Sequence, residues 1–312
     1  MDYIKLVEVY EQLEQTTKRL EKTFIIRDFL KDIPEEDIEQ TILLLQGKVF
    51  PPWDDRKIGV DSRMVLKAIN KSTGTHSDKI EQEWAKIGDL GEVARELTKT
   101  KKQVTLFSQS LTVKKVFQNL QKLPLLEGQG TVDKKIGLIS ELLTSAKPLE
   151  AKFIVRTVLE ELRVGTAAGT MRDAIVFAYF LKDSQLNKEK NIIDFEENKD
   201  RESYNEIVKK IQKAYDMSND FSLVAKYAKK GKLDEISLKV GIPIKCMLGP
   251  KEKDAKAALE RVGTPAQSEF KYDGFRLQIH KEGDKVLLYT RNLENVTKQF
   301  PEVIEYVKEH VK

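Results

Sequence analysis

Apolar residues recur at helical spacing through roughly the first 240 positions of this chain. Tyr3, Leu6, Val7, Tyr10, Leu13 and Leu20 form one stripe and predict an amphipathic N-terminal helix. Pro51-Pro52 interrupts the pattern, after which Asp61 or Ser62 is placed to cap a helix carrying Met64, Val65, Leu66, Ala68 and Ile69. Thr131 is expected to cap a long amphipathic segment through Ile136, Leu138, Ile139, Leu142 and Leu143. Beyond Lys147-Pro148, Phe153, Ile154, Thr157, Val158 and Leu162 give another buried stripe. It is expected to stop at Arg163-Val164-Gly165, with glycine where a helix ends. The segment from Asp183 to Arg201 is polar and charge-rich and predicts an exposed connection.

The pattern changes at Gly241-Ile242-Pro243-Ile244. Asp254 to Val262 predicts a short helix, and beyond Pro265 the period becomes two. Leu277 and Ile279 fall on one face there, Gln278 and His280 on the other. Glu282-Gly283-Asp284 is a turn, and Val286 to Arg291 makes the return strand of an antiparallel hairpin. Pro301 opens a last helix through Val303, Ile304 and Val307. The predicted organisation is a mainly α-helical domain over 1–240 and a linker over 241–255. The opening of an α+β domain follows over 256–312.

Composition narrows the class. With 40% hydrophobic and 33% charged residues over 312 positions, the chain can build real cores under a solvated surface. The single cysteine, Cys246, excludes an internal disulfide and a cysteine-built metal site. No run reads as transmembrane, and Met1-Asp2-Tyr3-Ile4-Lys5 lacks the order of a secretory signal, so an intracellular protein is expected. The net charge of +4 is modest but unevenly spread. Lys99, Lys101, Lys102, Lys114, Lys115 and Lys122 lie in a stretch from Leu97 to Leu123 without one acidic residue. Such a stretch suits phosphates, or equally a solvated helix face. His76, His280 and His310 have neither metal-ligand nor triad spacing, and His280 is expected simply to occupy the polar face of its strand.

The stretch Glu269-Phe270-Lys271-Tyr272-Asp273-Gly274-Phe275-Arg276 carries the candidate chemistry. It sets a lysine amine beside a carboxylate and an arginine, on what reads as the end of a strand. A Lys-x-Asp-Gly core suits a lysine that attacks the α-phosphate of a nucleotide and holds the nucleotidyl group covalently. An ordinary lysine, with a pKa of about 10.4, is protonated at neutral pH and must be activated by burial, neighbouring cations or a metal-bound phosphate. Gly274 permits a tight turn near a ligand, and Phe270 and Tyr272 are expected to pack into the sheet. The alternative is a plain Asp-Gly turn with a solvated lysine.

Glu269 to His280 closely resembles the nucleotide-binding motif of ATP-dependent DNA ligases, in particular the archaeal enzymes and the eukaryotic replicative ligase. The resemblance runs along nearly the whole chain. Gly88-Asp89-Leu90-Gly91 is similar to a Gly-Asp-x-Gly segment of that family's helical DNA-binding domain. Asp133-Lys134-Lys135-Ile136, Lys152 to Arg156 and Leu162 to Gly165 are similar to its later helices. Gly241 to Leu248 resembles the linker into the adenylation domain, with Cys246 where the family usually has proline.

The resemblance implies a helical DNA-binding domain followed by the start of an adenylation (nucleotidyltransferase) domain. It implies ATP and Mg2+ as cofactors and nicked duplex DNA as partner. Lys271 would form the lysyl-AMP, Glu269 would bind the adenine amino group, and Arg276 and Arg291 would contact the nucleotide. DNA backbone would be gripped around Arg156, Arg163, Gly165, Thr166, Gly169 and Arg172. Gln103-Val104-Thr105-Leu106-Phe107 is similar to the motif by which archaeal ligases engage the sliding clamp PCNA. Gln103, Leu106 and Phe107 would make that contact unless the two apolar residues bury in the helical core. A monomer is expected, one that binds DNA but adenylylates poorly, because later family motifs do not follow Lys271 in this chain. The alternatives are a non-catalytic DNA- or clamp-binding module and another lysine nucleotidyltransferase, such as an RNA ligase or capping enzyme.

Overall fold

The structure is a computed structural model that describes residues 1–100, 110–182, 185–187, 192–193, 198–246 and 249–311. The chain divides into two compact units, Met1–Ser237 and Leu238–Lys312. The first unit is built from helices α1 (Tyr3–Glu14), α2 (Arg19–Asp32), α3 (Ile38–Leu45), α4 (Ser62–Thr73), α5 (Ser77–Ile87) and α6 (Leu90–Lys99). It continues through α7 (Val113–Lys122), α8 (Thr131–Ser145), α9 (Pro148–Val158), α10 (Ala168–Tyr179), α11 (Asn198–Ser218) and α12 (Phe221–Lys229). A short antiparallel pair, β1 (Leu186–Asn187) with β2 (Ile192–Ile193), lies between α10 and α11.

The most extensively packed helix pairs are α6 with α9, α2 with α10 and α4 with α8, so one continuous apolar core joins elements far apart in sequence. Phe153 of α9 meets Tyr10 of α1 with ring centroids 5.0 Å apart, and the Tyr10 hydroxyl donates to the Leu44 carbonyl at 2.7 Å. That bond satisfies the one polar atom the ring carries into the core.

Helix ends show where local patterning suffices and where it does not. Asp61 caps α4 as expected, accepting from the Met64 amide at 2.8 Å. The N-terminal stripe, however, is two helices. The chain breaks between Glu14 and Arg19, where Thr16 accepts from the Lys18 amide at 3.2 Å, and Leu20 is left partly exposed. A threonine hydroxyl that bonds the local backbone competes with helix continuation.

Thr131 is the first residue of α8 rather than its cap. Gly130 takes the cap with φ 76°, and the Thr131 hydroxyl donates back to Gly128 at 2.6 Å. Helix α9 ends at Val158, earlier than Gly165. Glu160 adopts φ 58°, its amide donates to Thr157 and that of Glu161 donates to Arg156. This is a Schellman ending in which glutamate occupies the left-handed position that usually takes glycine, so the sequence carries no local stop signal there.

The second unit contains α13 (Ala255–Val262), capped by Asp254, the hairpin β3 (Leu277–Glu282) with β4 (Lys285–Thr290), and α14 (Pro301–His310). The strands pair antiparallel with Leu277 opposite Thr290 and Glu282 opposite Lys285. Its core is small: Val286, Leu288, Val296 and Val307, with Leu277, Phe300, Val303 and Ile304 packed against them.

Candidate functional site

In the second unit the segment carrying Lys271 has no regular secondary structure and, among the described residues, pairs with no strand. Phe270 and Tyr272 are 88% and 87% exposed and Phe275 is 89% exposed, so the aromatic side chains expected inside a sheet stand in solvent. No neighbouring strand covers them, and a flanking aromatic buries only where a surface faces it. Lys271 is exposed as well, and the Glu269 carboxylate accepts from Gln267 at 3.1 Å. Gly274 has φ 148°, a backbone conformation that residues with a Cβ rarely adopt, in keeping with its position in the motif.

Arg276 and Arg291 do come together. They line one open cleft of about 600 Å³ with Lys245, Gly274, Thr290 and Glu294. Lys271 and Glu269 are not among its walls. Lys245 joins the two arginines although no local sequence pattern marks it. It lies between Ile244 and Cys246, and only the fold carries that stretch to the hairpin. Gln278 makes the junction, with its Oε1 accepting from the Ile244 amide at 2.9 Å and its Nε2 donating to the Ile244 carbonyl at 2.5 Å. His280 is more than a polar strand residue. Its Nδ1 accepts from the Gly241 amide at 3.0 Å, and Tyr289 donates its hydroxyl to the Gly241 carbonyl at 2.9 Å. Burial holds the imidazole pKa below its ordinary value. The cleft therefore offers three exposed cations, an arrangement that suits a polyphosphate.

In the first unit the candidate backbone-gripping residues divide into an inner and an outer group. Arg156, expected on the DNA face, is 5% exposed and committed inside the fold. Its guanidinium donates to Asp89 at 2.9 and 3.1 Å and to Glu14 at 2.9 Å, while Lys152 pairs with Glu14 at 2.7 Å and Glu92 at 2.5 Å. Asp89 is also the cap of α6, accepting from the amides of Gly91 and Glu92 at 2.8 and 3.1 Å. Burial alone would raise the Asp89 pKa, but the Arg156 guanidinium and the two amides outweigh it and hold the carboxyl below its usual range. A Cβ on Gly91 would lie 2.8 Å from both the Arg156 side chain and the Lys152 carbonyl. Gly88-Asp89-Leu90-Gly91 is thus a helix start shaped to receive α9.

The outer group lies on the segment after α9. Arg163 is half exposed and bonds Asp89 at 3.1 Å and Glu161 at 2.5 Å. Arg163, Gly165 and Thr166 border one shallow cleft with Gly47 and Glu160. The Thr166 hydroxyl donates to the Leu45 carbonyl at 2.8 Å. Arg172 on α10 donates to Asp173 at 2.8 and 2.9 Å and to Gln212 at 3.2 Å. Two cations of α2 reach the same segment. Lys22 donates to the Val164 carbonyl at 2.6 Å, and Arg19 pairs with Asp173 at 2.5 Å. No local pattern marks them, because their partners lie more than 140 residues away.

The family described as DNA ligase N terminus matches residues 2–176, and the ATP dependent DNA ligase domain matches residues 246–312. The chain belongs to the DNA ligase family. DNA ligases from three archaea are similar to it over nearly its whole length. The one from Methanosphaera stadtmanae is 42% identical over 98% of this chain and 51% of the relative. Those from Thermococcus onnurineus and Nanoarchaeum equitans are 38% and 39% identical over the full chain, covering 52% and 51% of their own lengths. The chain spans about half the length of the curated relatives it matches.

Within this ligase chain, the first match takes in Asp89, Arg156 and the segment from Arg163 to Arg172. The second takes in Glu269, Lys271, Arg276 and Arg291. Gln103, Leu106 and Phe107 lie outside the described residues. Among the described residues no helix is long and apolar enough to cross a membrane, and no group of three His, Cys, Asp or Glu side chains is placed to hold a metal ion.

Proposed function

We propose that this chain belongs to an enzyme that seals nicks in duplex DNA through a lysyl-AMP intermediate formed from ATP. The observation that supports it most is the order of the two ligase family matches, with Lys271, Arg276 and Arg291 inside the second. The Lys271 amine attacks the α-phosphate of ATP, forming a phosphoramidate as pyrophosphate leaves. AMP then passes to the 5′-phosphate at the nick, and the 3′-hydroxyl displaces it. Glu269 recognises the adenine amino group, and Arg276 and Arg291 stabilise charge on phosphate oxygens as it develops. Mg2+ supplies charge neutralisation at the same phosphates. Such an ion would be held largely by nucleotide oxygens with one or two carboxylates of the protein.

The helical unit holds the duplex by its backbone through Arg163, Gly165, Thr166, Gly169 and Arg172, with Arg156 anchoring that surface from beneath. Backbone contacts suit an enzyme that acts at nicks of any sequence. Gln103, Leu106 and Phe107 engage a sliding clamp such as PCNA, and the protein acts as a monomer. As a 312-residue polypeptide it binds nicked DNA but adenylylates weakly, since Lys271 stands in solvent and does not line the cleft that gathers Arg276 and Arg291. Intact-mass measurement after incubation with ATP and Mg2+ tests this. Little or no added AMP is expected, and stoichiometric AMP on Lys271 would overturn the weak-adenylylation reading.

A further inference from the structure

Gln278 and His280 lie on one face of β3, opposite the side that Leu277 gives to the core, and neither has a part in the proposed chemistry. Both face the linker instead. The Gln278 side-chain amide meets both backbone groups of Ile244, accepting from its N–H at 2.9 Å and donating to its carbonyl at 2.5 Å. Gly241 is held in the same two-sided way, with its N–H on His280 Nδ1 at 3.0 Å and its carbonyl on the Tyr289 hydroxyl at 2.9 Å. The His280 and Tyr289 rings meet edge to face with centroids 5.0 Å apart, so the two anchors of Gly241 support each other. In an antiparallel ladder a residue exchanges N–H and C=O bonds with a partner strand. Here side chains of the hairpin take that partner's place at two linker residues. The residue after the second anchor is Lys245, and it enters the cleft that Arg276 and Arg291 also line. Arg276 itself stands just ahead of Gln278, so one run of backbone carries both a cleft cation and a linker anchor.

We propose that Gln278 and His280 are positioning residues that clip the linker to the hairpin and thereby couple it to the nucleotide cleft, with Lys245 as the connecting side chain. Without the clip, Lys245 sits on a free linker and the cleft keeps only its two arginines. With it, a polyphosphate held by Arg276, Arg291 and Lys245 joins linker to hairpin once more. Such coupling is reciprocal, so occupation of the cleft tightens the linker by the same factor as the clip tightens nucleotide binding. The inference rests on the reading that this cleft takes the phosphates of ATP.

Two measurements on the whole chain test it: ATP affinity, and amide hydrogen exchange from Leu238 to Cys246. Both are made in EDTA, so that binding is read apart from AMP transfer. In the parent, ATP is expected to slow exchange in that stretch beyond the protection the clip already gives. Lys245→Ala is expected to keep the basal protection and lose the increment, and to weaken ATP binding about tenfold, the low end for a charge-assisted contact. Gln278→Ala is expected to lose basal protection at Ile244 and to weaken ATP binding by no more than Lys245→Ala does. The double variant should bind ATP no worse than Lys245→Ala alone, because Gln278 acts through Lys245. Exchange across β4 reports separately that the unit stays folded. Parent-like ATP binding in Lys245→Ala, additive losses in the double variant, or basal exchange in Gln278→Ala as slow as in the parent would overturn this proposal alone. A parent chain that binds no ATP would overturn it together with the reading it rests on.

Discussion

Arg156 and Lys271 are both basic side chains in ligase-family sequence, and their surroundings are opposites. Arg156 lies inside the helical unit with two carboxylates on its guanidinium, one of which also caps a helix. Lys271 stands in an exposed, irregular segment between two aromatic residues that touch little but water. The first is held by the fold from several sides, so its role is to hold other groups. The second is the proposed nucleophile, and within this chain the fold does little to shape its environment. A cation in a functional motif is therefore not evidence of function until its partners are known.

The sharpest way to break this contrast is Arg156→Ala. It would strand Asp89 and Glu14 without their shared cation, and breaking a buried pair from one side costs about 3–5 kcal/mol. Urea unfolding followed by tryptophan fluorescence reads this directly, since Trp53 and Trp84 both belong to the helical unit. A loss below about 1 kcal/mol would mean that the cluster is merely a surface ion pair.

His280→Ala comes next. It would leave the part-buried Gly241 amide without its acceptor, a loss of about 1 kcal/mol, the low end for an unsatisfied donor. The effect should be confined to the second unit, visible in its amide NMR spectrum while tryptophan fluorescence stays unchanged. Acid separates the two units in the same way. The His280 pKa is depressed by burial, so its contribution is present above the ordinary histidine value of about 6.5 and lost as pH falls through the lower folded value. Asp89 is depressed from a carboxylate value, so its contribution persists until pH falls below about 4. Titration from pH 7 to 5 is expected to weaken the second unit and leave the Arg156 cluster intact.

Much of the fold was legible along the chain. The Asp61 cap, the hairpin, the helix after Asp254 and the one opened by Pro301 all stand where period and turn chemistry put them. Contacts that bridge long sequence distances were not legible. Nothing local says that Arg19 reaches Asp173, that Lys245 joins the cleft of Arg276 and Arg291, or that Arg156 turns inward to Asp89. Exposure of Phe270 and Tyr272 was missed for the related reason that an alternating pattern implies a partner surface without supplying it.

Glu160 offers a smaller test on the same segment. At φ 58° it carries left-handed strain that glycine would not, of roughly 1 kcal/mol. It also accepts a long bond, 3.3 Å, from the Ile58 amide. Glu160→Gly and Glu160→Ala both lose that bond, and only alanine keeps the strain. Glycine is therefore expected to be the more stable of the two by about 1 kcal/mol in urea unfolding. Equal stabilities would mean that the helix ending does not depend on this conformation.

The smallest expected effect is at Lys271 itself. An exposed side chain without a packed neighbour contributes little, so Lys271→Ala should shift stability by less than about 0.5 kcal/mol in either unit. The same change should abolish whatever trace of AMP the chain takes up, because no other amine stands in that motif. Measured together, unfolding and intact mass after exposure to ATP would show a residue that matters to chemistry and not to folding, the inverse of Arg156. If Lys271→Ala instead destabilised the second unit by a kilocalorie or more, the segment would be packed in solution against something it does not touch here. Its poor reactivity would then need a cause other than exposure.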